Sequence, residues 1–189
     1  DGTADSQFSV GAWVNHSSLE GVQAILTKSD ATTADTKHEW LLISDNSGRI
    51  ELQLYDDSQG GIILARYAKG NALSLSTWAF VVATYSGSGN VGGFTLFKNG
   101  LVASTPVNEE LVYGVPPNTD TAGVYTAMAD TPALVRLASV QGASAPAGFF
   151  NGKIAGGPCG PFFTHKKLTA GDVQGLYNYC RILLEPPSL

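Results

Sequence analysis

Glycoside cleavage needs an acid and a base or nucleophile flanking one bond, and a strand supplies such pairs as alternating carboxylates on one face. The chain has no such run: Glu51 stands alone in its stretch, Glu109 and Glu110 are adjacent and so point apart, and Asp56-Asp57 occupy a turn. Acyl transfer has no support either, since the only histidines are His16, His38 and His165 and no serine sits in a Gly-x-Ser-x-Gly setting. What remains is recognition chemistry. An aromatic ring can lie against the apolar face of a pyranose while neighbouring Asn, Asp, Gln or Arg groups bond its hydroxyls. Tyr113 and Tyr125 are the first candidates, because they stand in polar, proline-rich sequence where a ring is exposed unless the loop folds over it. His38 beside the polar 29–37 segment, Tyr55 with Asp56 and Asp57, and Tyr67 with Arg66 are the others. Trp13, Trp78 and Trp40, which begins an apolar run, read as core.

The elements that must position these residues are strands. Trp78 to Gly100 organises the chain: Trp78 to Tyr85 is apolar in both alternating sets, so both of its faces are expected to be covered, and Gly93 to Asn99 returns antiparallel after a glycine-rich loop. Asn99-Gly100 makes a second hairpin turn into Leu101 to Thr105. Earlier, Gln7 to Val14 puts Phe8, Val10, Ala12 and Val14 on one side and Trp13 on the other. Ala24 to Lys28 is a short strand, and Glu39 to Ser44 and Arg49 to Tyr55 flank the tight Asp45-Asn46-Ser47-Gly48 reversal. Ile62 to Lys69 continues the pattern. Val107 to Ala133 reads as a long surface loop with short pieces of strand, Leu134 to Val140 as a strand, and Phe149 to Thr164 as two strands bent at Gly156-Gly157-Pro158. One helix closes the chain, with Thr169 as N-cap, Asp172 three residues on, Leu168 and Val173 as a staple, and Val173, Leu176, Tyr177 and Cys180 at helical spacing.

Composition narrows the class. The 189 residues are 43% hydrophobic but only 14% charged, against roughly 25% in an average domain. A surface of Ser, Thr, Asn, Gln and Gly suits exposed β loops outside the cytosol. The net charge of −5, with Lys166-Lys167 as the one basic pair, argues against nucleic acid. No apolar run approaches the roughly 20 residues that span a bilayer. Asn15-His16-Ser17 fits the short N-glycosylation pattern.

FSVGAWVN, ILTKSD, WLLISDNSGRIELQLYD, TWAFVVATYSGSGNVGGFTLFKNGLVAS and FFNGKIAGGPCGPFFTHKKLTAGDVQGLYN, in that order from Phe8 to about Asn178, resemble the successive blocks of the laminin G-like, concanavalin A-like lectin and glucanase domains. The resemblance implies an all-β, two-sheet antiparallel jelly-roll sandwich with one short C-terminal helix, here a single domain over 1–189. In it, 1–7 form an incomplete first strand, since Asp1-Gly2-Thr3 resembles the end of the family's first strand motif, and 181–189 form a tail. It also implies a calcium ion in many members; Asp1 and Asp5 occupy the region that contributes ligands, while Ala155 stands where many carry an acidic residue after Asn-Gly-x-Ile. Because the helix packs near the Gly-Gly-Pro bend in that fold, Cys159 and Cys180 are expected either to form a disulfide in an oxidising compartment or to be two buried thiols. The function expected is non-catalytic recognition of a glycan on a cell or extracellular surface. The alternative is a decoration module of a virus particle or other surface assembly, contacting protein neighbours.

Overall fold

Over residues 4–30, 37–56, 61–67, 72–103, 107–112, 125–142 and 145–184, the computed structural model describes fourteen strands and one α-helix. The strands are β1 (Phe8–His16), β2 (Gln23–Asp30), β3 (Lys37–Ser44), β4 (Ile50–Asp56), β5 (Gly61–Arg66), β6 (Trp78–Tyr85) and β7 (Phe94–Lys98). They continue as β8 (Leu101–Val102), β9 (Val107–Val112), β10 (Val135–Leu137), β11 (Val140–Gln141), β12 (Pro146–Ala147), β13 (Gly152–Ile154) and β14 (Phe162–Thr164), before α1 (Ala170–Leu184). Two six-stranded sheets result. The first runs β13-β1-β6-β7-β8, with β14 also paired to β1, and the second runs β10-β2-β3-β4-β5-β9. Every pairing within these sheets is antiparallel.

The period-two pattern explains the layers. Phe8, Val10, Ala12 and Val14 of β1 and Ala79, Val81, Ala83 and Tyr85 of β6 face Trp40, Leu42, Ile50, Leu52, Leu54 and Ile63 of the second sheet, forming the main core. The alternate residues Trp13, Phe80, Val82 and Phe97 form a second core on the outside of the first sheet. There α1 covers them with Val173, Tyr177 and Cys180, and Trp13 stacks on Phe80 at 5.3 Å and on Tyr177 at 5.4 Å. Both faces of β6 are thus covered. Gly11 is required where Phe162 crosses β1, since a Cβ there would lie 2.7 Å from the Val81 carbonyl oxygen and 2.9 Å from the Phe162 ring. Asn99 and Gly100 turn the β7–β8 hairpin at φ of 52° and 83°, the left-handed pair such a two-residue turn demands.

At the C-terminus the cap is reciprocal: Asp172 N donates to Thr169 Oγ1 at 3.2 Å, and Thr169 N donates to Asp172 Oδ2 at 2.9 Å. The helix continues to Leu184, so Arg181–Leu184 are helical where a tail was expected. Cys159 and Cys180 are bonded as a disulfide with Cα atoms 5.6 Å apart, fastening α1 to the turn between β13 and β14. Val107–Val112, within the stretch read as loop with short pieces of strand, is an edge strand on β5. Two further expectations are corrected. The 134–140 stretch breaks at Ala138, whose φ is 60°, into β10 and β11. Only Leu101–Val102 of the 101–105 stretch is strand, and 104–105 lie outside the described residues.

His16 links the layers. Its ring is 1% exposed, its Nε2 pairs with Ser44 Oγ at 2.9 Å, and it meets Phe150 edge-on at 4.6 Å. Burial lowers its pKa from 6.5 to about 4. The folded protein therefore resists protonation that the unfolded chain accepts, so the stability from this site is complete above pH 6.5 and is lost as pH falls toward 4. Urea unfolding of wild type at pH 7 and pH 4.5 should show a decline exceeding that of His16→Gln by about 2 kcal/mol. Equal declines would show that His16 does not titrate in this way.

Candidate functional site

Asp5 is half-buried, and its carboxylate is engaged by groups of the protein. Its Oδ2 accepts from Tyr85 Oη at 2.5 Å and Tyr125 Oη at 2.8 Å, and its Oδ1 from Met128 N at 2.6 Å. Burial first, and Asp5 second, push the phenol pKa values of Tyr85 and Tyr125 up. Calcium requires six to eight oxygen ligands. The described residues do not fit it: Asp5 is taken up by three donors, and among the described residues no group of three His, Cys, Asp or Glu side chains converges. Asp1 lies outside the described residues.

The same contacts correct the expected aromatic platform. Tyr125 is only 6% exposed because the loop folds its ring inward onto Asp5. Asp56, 2% exposed, accepts from Thr126 N at 2.9 Å and Ala127 N at 3.4 Å, so it anchors that loop rather than facing a ligand. Tyr67 is fully buried, with its hydroxyl donating to the Phe97 carbonyl. Tyr113 lies outside the described residues.

Tyr55 and His38 do come together, on the outer face of the second sheet, with ring centroids 4.7 Å apart. His38 Nδ1 pairs with Ser29 Oγ at 2.7 Å, and burial lowers its pKa, favouring the neutral ring. β4 alternates Ile50, Leu52 and Leu54 inward with Glu51, Gln53 and Tyr55 outward. On that outer side Tyr55 Oη donates to Gln53 Oε1 at 2.6 Å, and Gln53 Nε2 donates to Glu51 Oε2 at 2.8 Å. Beside them lies an apolar floor of Ala24, Leu41 and Ile43, against which Tyr55 and Val140 pack.

Register carries the row across the sheet. Arg136 of β10 stands opposite Thr27, Thr27 opposite Leu41, and Leu41 opposite Gln53, so all four share this face. Thr27 is buried, its hydroxyl donating to the Ser139 carbonyl at 2.9 Å. Arg136 is half-buried, and its Nε is out of contact with solvent and has no hydrogen-bond partner. Three strand spacings separate the Arg136 and Gln53 backbones, about 14 Å. A rim is supplied by 125–134: Ala129 N donates to the Tyr55 carbonyl at 2.8 Å, and Thr131 N donates to Glu39 Oε1 at 2.6 Å, which also receives Lys28 Nζ at 2.6 Å.

Of the residues singled out in the sequence, the structure brings Tyr55 and His38 together, and beside them it places Gln53 and Arg136, which sequence reasoning did not single out. The alternation Glu51-Gln53-Tyr55 against Ile50-Leu52-Leu54 was the available signal for Gln53, and the lone arginine in Leu134-Val135-Arg136-Leu137 was the one for Arg136.

A profile of the family described as Concanavalin A-like lectin/glucanases superfamily, Laminin_G_3, matches residues 1–155. No curated protein matches the chain. Among solved structures it is similar to Ruminococcus gnavus IT-sialidase CBM40 bound to α2,3-sialyllactose, with 16% identity and a TM-score of 0.64, covering 93% of this chain and 84% of that one. It is also similar to the leech intramolecular trans-sialidase, at 14% identity and a TM-score of 0.66, covering 93% of this chain but 24% of that one. The Streptococcus pneumoniae NanB sialidase matches at 14% identity and a TM-score of 0.63, with 90% and 24% covered. At such identities the likeness is one of fold.

Proposed function

From a chain that belongs to the concanavalin A-like lectin/glucanase superfamily, we propose a non-catalytic carbohydrate-recognition domain that holds an acidic glycan on the outer face of its second sheet. The observation that carries this reading is the cross-strand row from Arg136 to Gln53: a guanidinium and an amide with uncommitted N–H groups at either end of an apolar floor, beside the Tyr55 ring. A sugar ring needs a flat apolar contact and fixed hydrogen bonds, and a sugar carboxylate needs a cation. The bacterial fold neighbour was solved with sialyllactose, whose terminal sugar carries such a carboxylate.

Catalysis has little to work with on this face. Glu39 is held by Lys28 and Thr131, and Glu51 by Gln53, so neither is placed as the acid or base of a cleaving pair. The Cys159–Cys180 bridge supports an oxidising, extracellular or cell-surface setting. The sialidase-associated neighbours lend nothing to the particle-decoration alternative.

The test is binding of the purified chain to arrayed sialylated, uronate-bearing and neutral glycans, with calcium and again with a chelator. Saturable binding confined to carboxylate-bearing glycans and indifferent to the chelator is expected. Folded protein that binds no glycan in either condition would reject the reading.

A further inference from the structure

We infer that Glu51 is a positioning residue for this face: by holding the Gln53 amide in one orientation, it makes that end of the row an obligate hydrogen-bond donor and so selects glycans that place a carbonyl oxygen there rather than a hydroxyl. The inference rests on the carbohydrate reading above and deepens it.

The polarity follows from the inventory of donors and acceptors. A carboxylate can only accept, so the Gln53 group 2.8 Å from Glu51 Oε2 must be the NH2. The amide oxygen is then turned to Tyr55, whose hydroxyl proton it takes at 2.6 Å. Flipping the amide would set its oxygen against the carboxylate, two acceptors in contact on a side chain that is 6% exposed, a configuration that costs the hydrogen bond and adds repulsion. Tyr55 in turn is braced by the His38 ring at 4.7 Å, itself fixed through Ser29 Oγ at 2.7 Å. Ser29, His38, Tyr55, Gln53 and Glu51 thus form one chain of contacts reaching over β2, β3 and β4.

One N–H of Gln53 is left. The side chain is half-buried and its hydrogen bonds use one N–H and the oxygen, so the second N–H is available to a ligand lying over Leu41. Along the same row Leu41 is apolar, Thr27 commits its proton to Ser139, and Arg136 only donates. The row therefore offers donors at both ends and little to accept a ligand proton. A sugar hydroxyl placed at Gln53 can accept, but its own hydrogen then lacks an acceptor; an N-acyl carbonyl has no hydrogen to place and loses nothing. The class selected is an acidic sugar bearing an N-acyl group.

The test uses the full chain, titrated by calorimetry with two probes: 3′-sialyllactose, and the same trisaccharide carrying a hydroxyl in place of the sialyl acetamido group. Wild type is expected to prefer the N-acyl probe by about tenfold, the worth of one good hydrogen bond. In Glu51→Gln the amide of Gln53 can face either way, so the preference should fall to about twofold or less, chiefly through weaker binding of the N-acyl probe. Gln53→Met should abolish the preference in the same manner. A merely structural Glu51 would lower both affinities together and leave their ratio intact, which overturns the inference, as does a wild type that binds the two probes equally. Wild type binding neither probe overturns both the inference and the sialylated-glycan reading beneath it.

Discussion

Arg136→Ala is expected to weaken binding of a carboxylate-bearing glycan by about 10- to 100-fold, the range spanned by one charge-assisted contact in a half-buried setting. Its counterpart in stability is equally diagnostic. Among the described residues the Arg136 Nε is buried without a hydrogen-bond partner, so folding gains little from the guanidinium and bears some cost of desolvating it. Melting of Arg136→Ala should therefore match wild type or exceed it slightly. Arg136→Lys keeps the charge but not the forked donors, and should fall between the two in affinity. The electrostatic part of the contact should weaken in wild type as salt is raised and be absent from Arg136→Ala. Affinity and melting temperature falling together in Arg136→Ala would make the arginine a structural group and remove the support for the glycan reading.

The second large effect lies at Asp5. Asp5→Ala should destabilise the fold by about 3 to 4 kcal/mol, because it leaves two largely buried phenols and one backbone N–H without their acceptor. Much of that loss belongs to the orphaned hydroxyls rather than to the carboxylate. Tyr85→Phe and Tyr125→Phe should consequently cost less in the Asp5→Ala background than in wild type, a coupling that a double-mutant cycle in urea would read directly. Calcium should leave the melting temperature unchanged. A calcium-dependent rise in wild type that disappears in Asp5→Ala would instead make this carboxylate a metal ligand.

The two residues show where sequence was informative and where it was not. Period-two alternation survives folding intact, which is why Phe8, Val10, Ala12 and Val14 separated correctly from Trp13, and why the doubly apolar Trp78–Tyr85 strand lies between two cores. The helix start was equally legible, because capping is a contact between Thr169 and Asp172, three residues apart. Tyr125 was misjudged for the opposite reason: its partner Asp5 is 120 residues away, and no local pattern announces that a loop will fold back on a remote carboxylate. Short pieces of strand were expected between Val107 and Ala133, but the bounds of Val107–Val112 were not legible, because its adjacent glutamates mask the alternation of an edge strand. Gln53 and Arg136 lie on strands three apart in the sheet order, and only the sum of three registers brings them into one row.

The bridge between α1 and the turn after β13 also bears on how the domain would respond to tension. A pull applied at Leu184 reaches Cys180 within one turn of helix and passes through the sulfurs to Cys159. It then acts on β13, which Val14, Asn15 and His16 of β1 hold side by side. The 21-residue span between the cysteines is excluded from the path, so about 70 Å of chain cannot be drawn out until the bridge is broken. Load is delivered in shear to β1 of the first sheet, and the opposite sheet, which carries the proposed ligand face, is left out of the line of force.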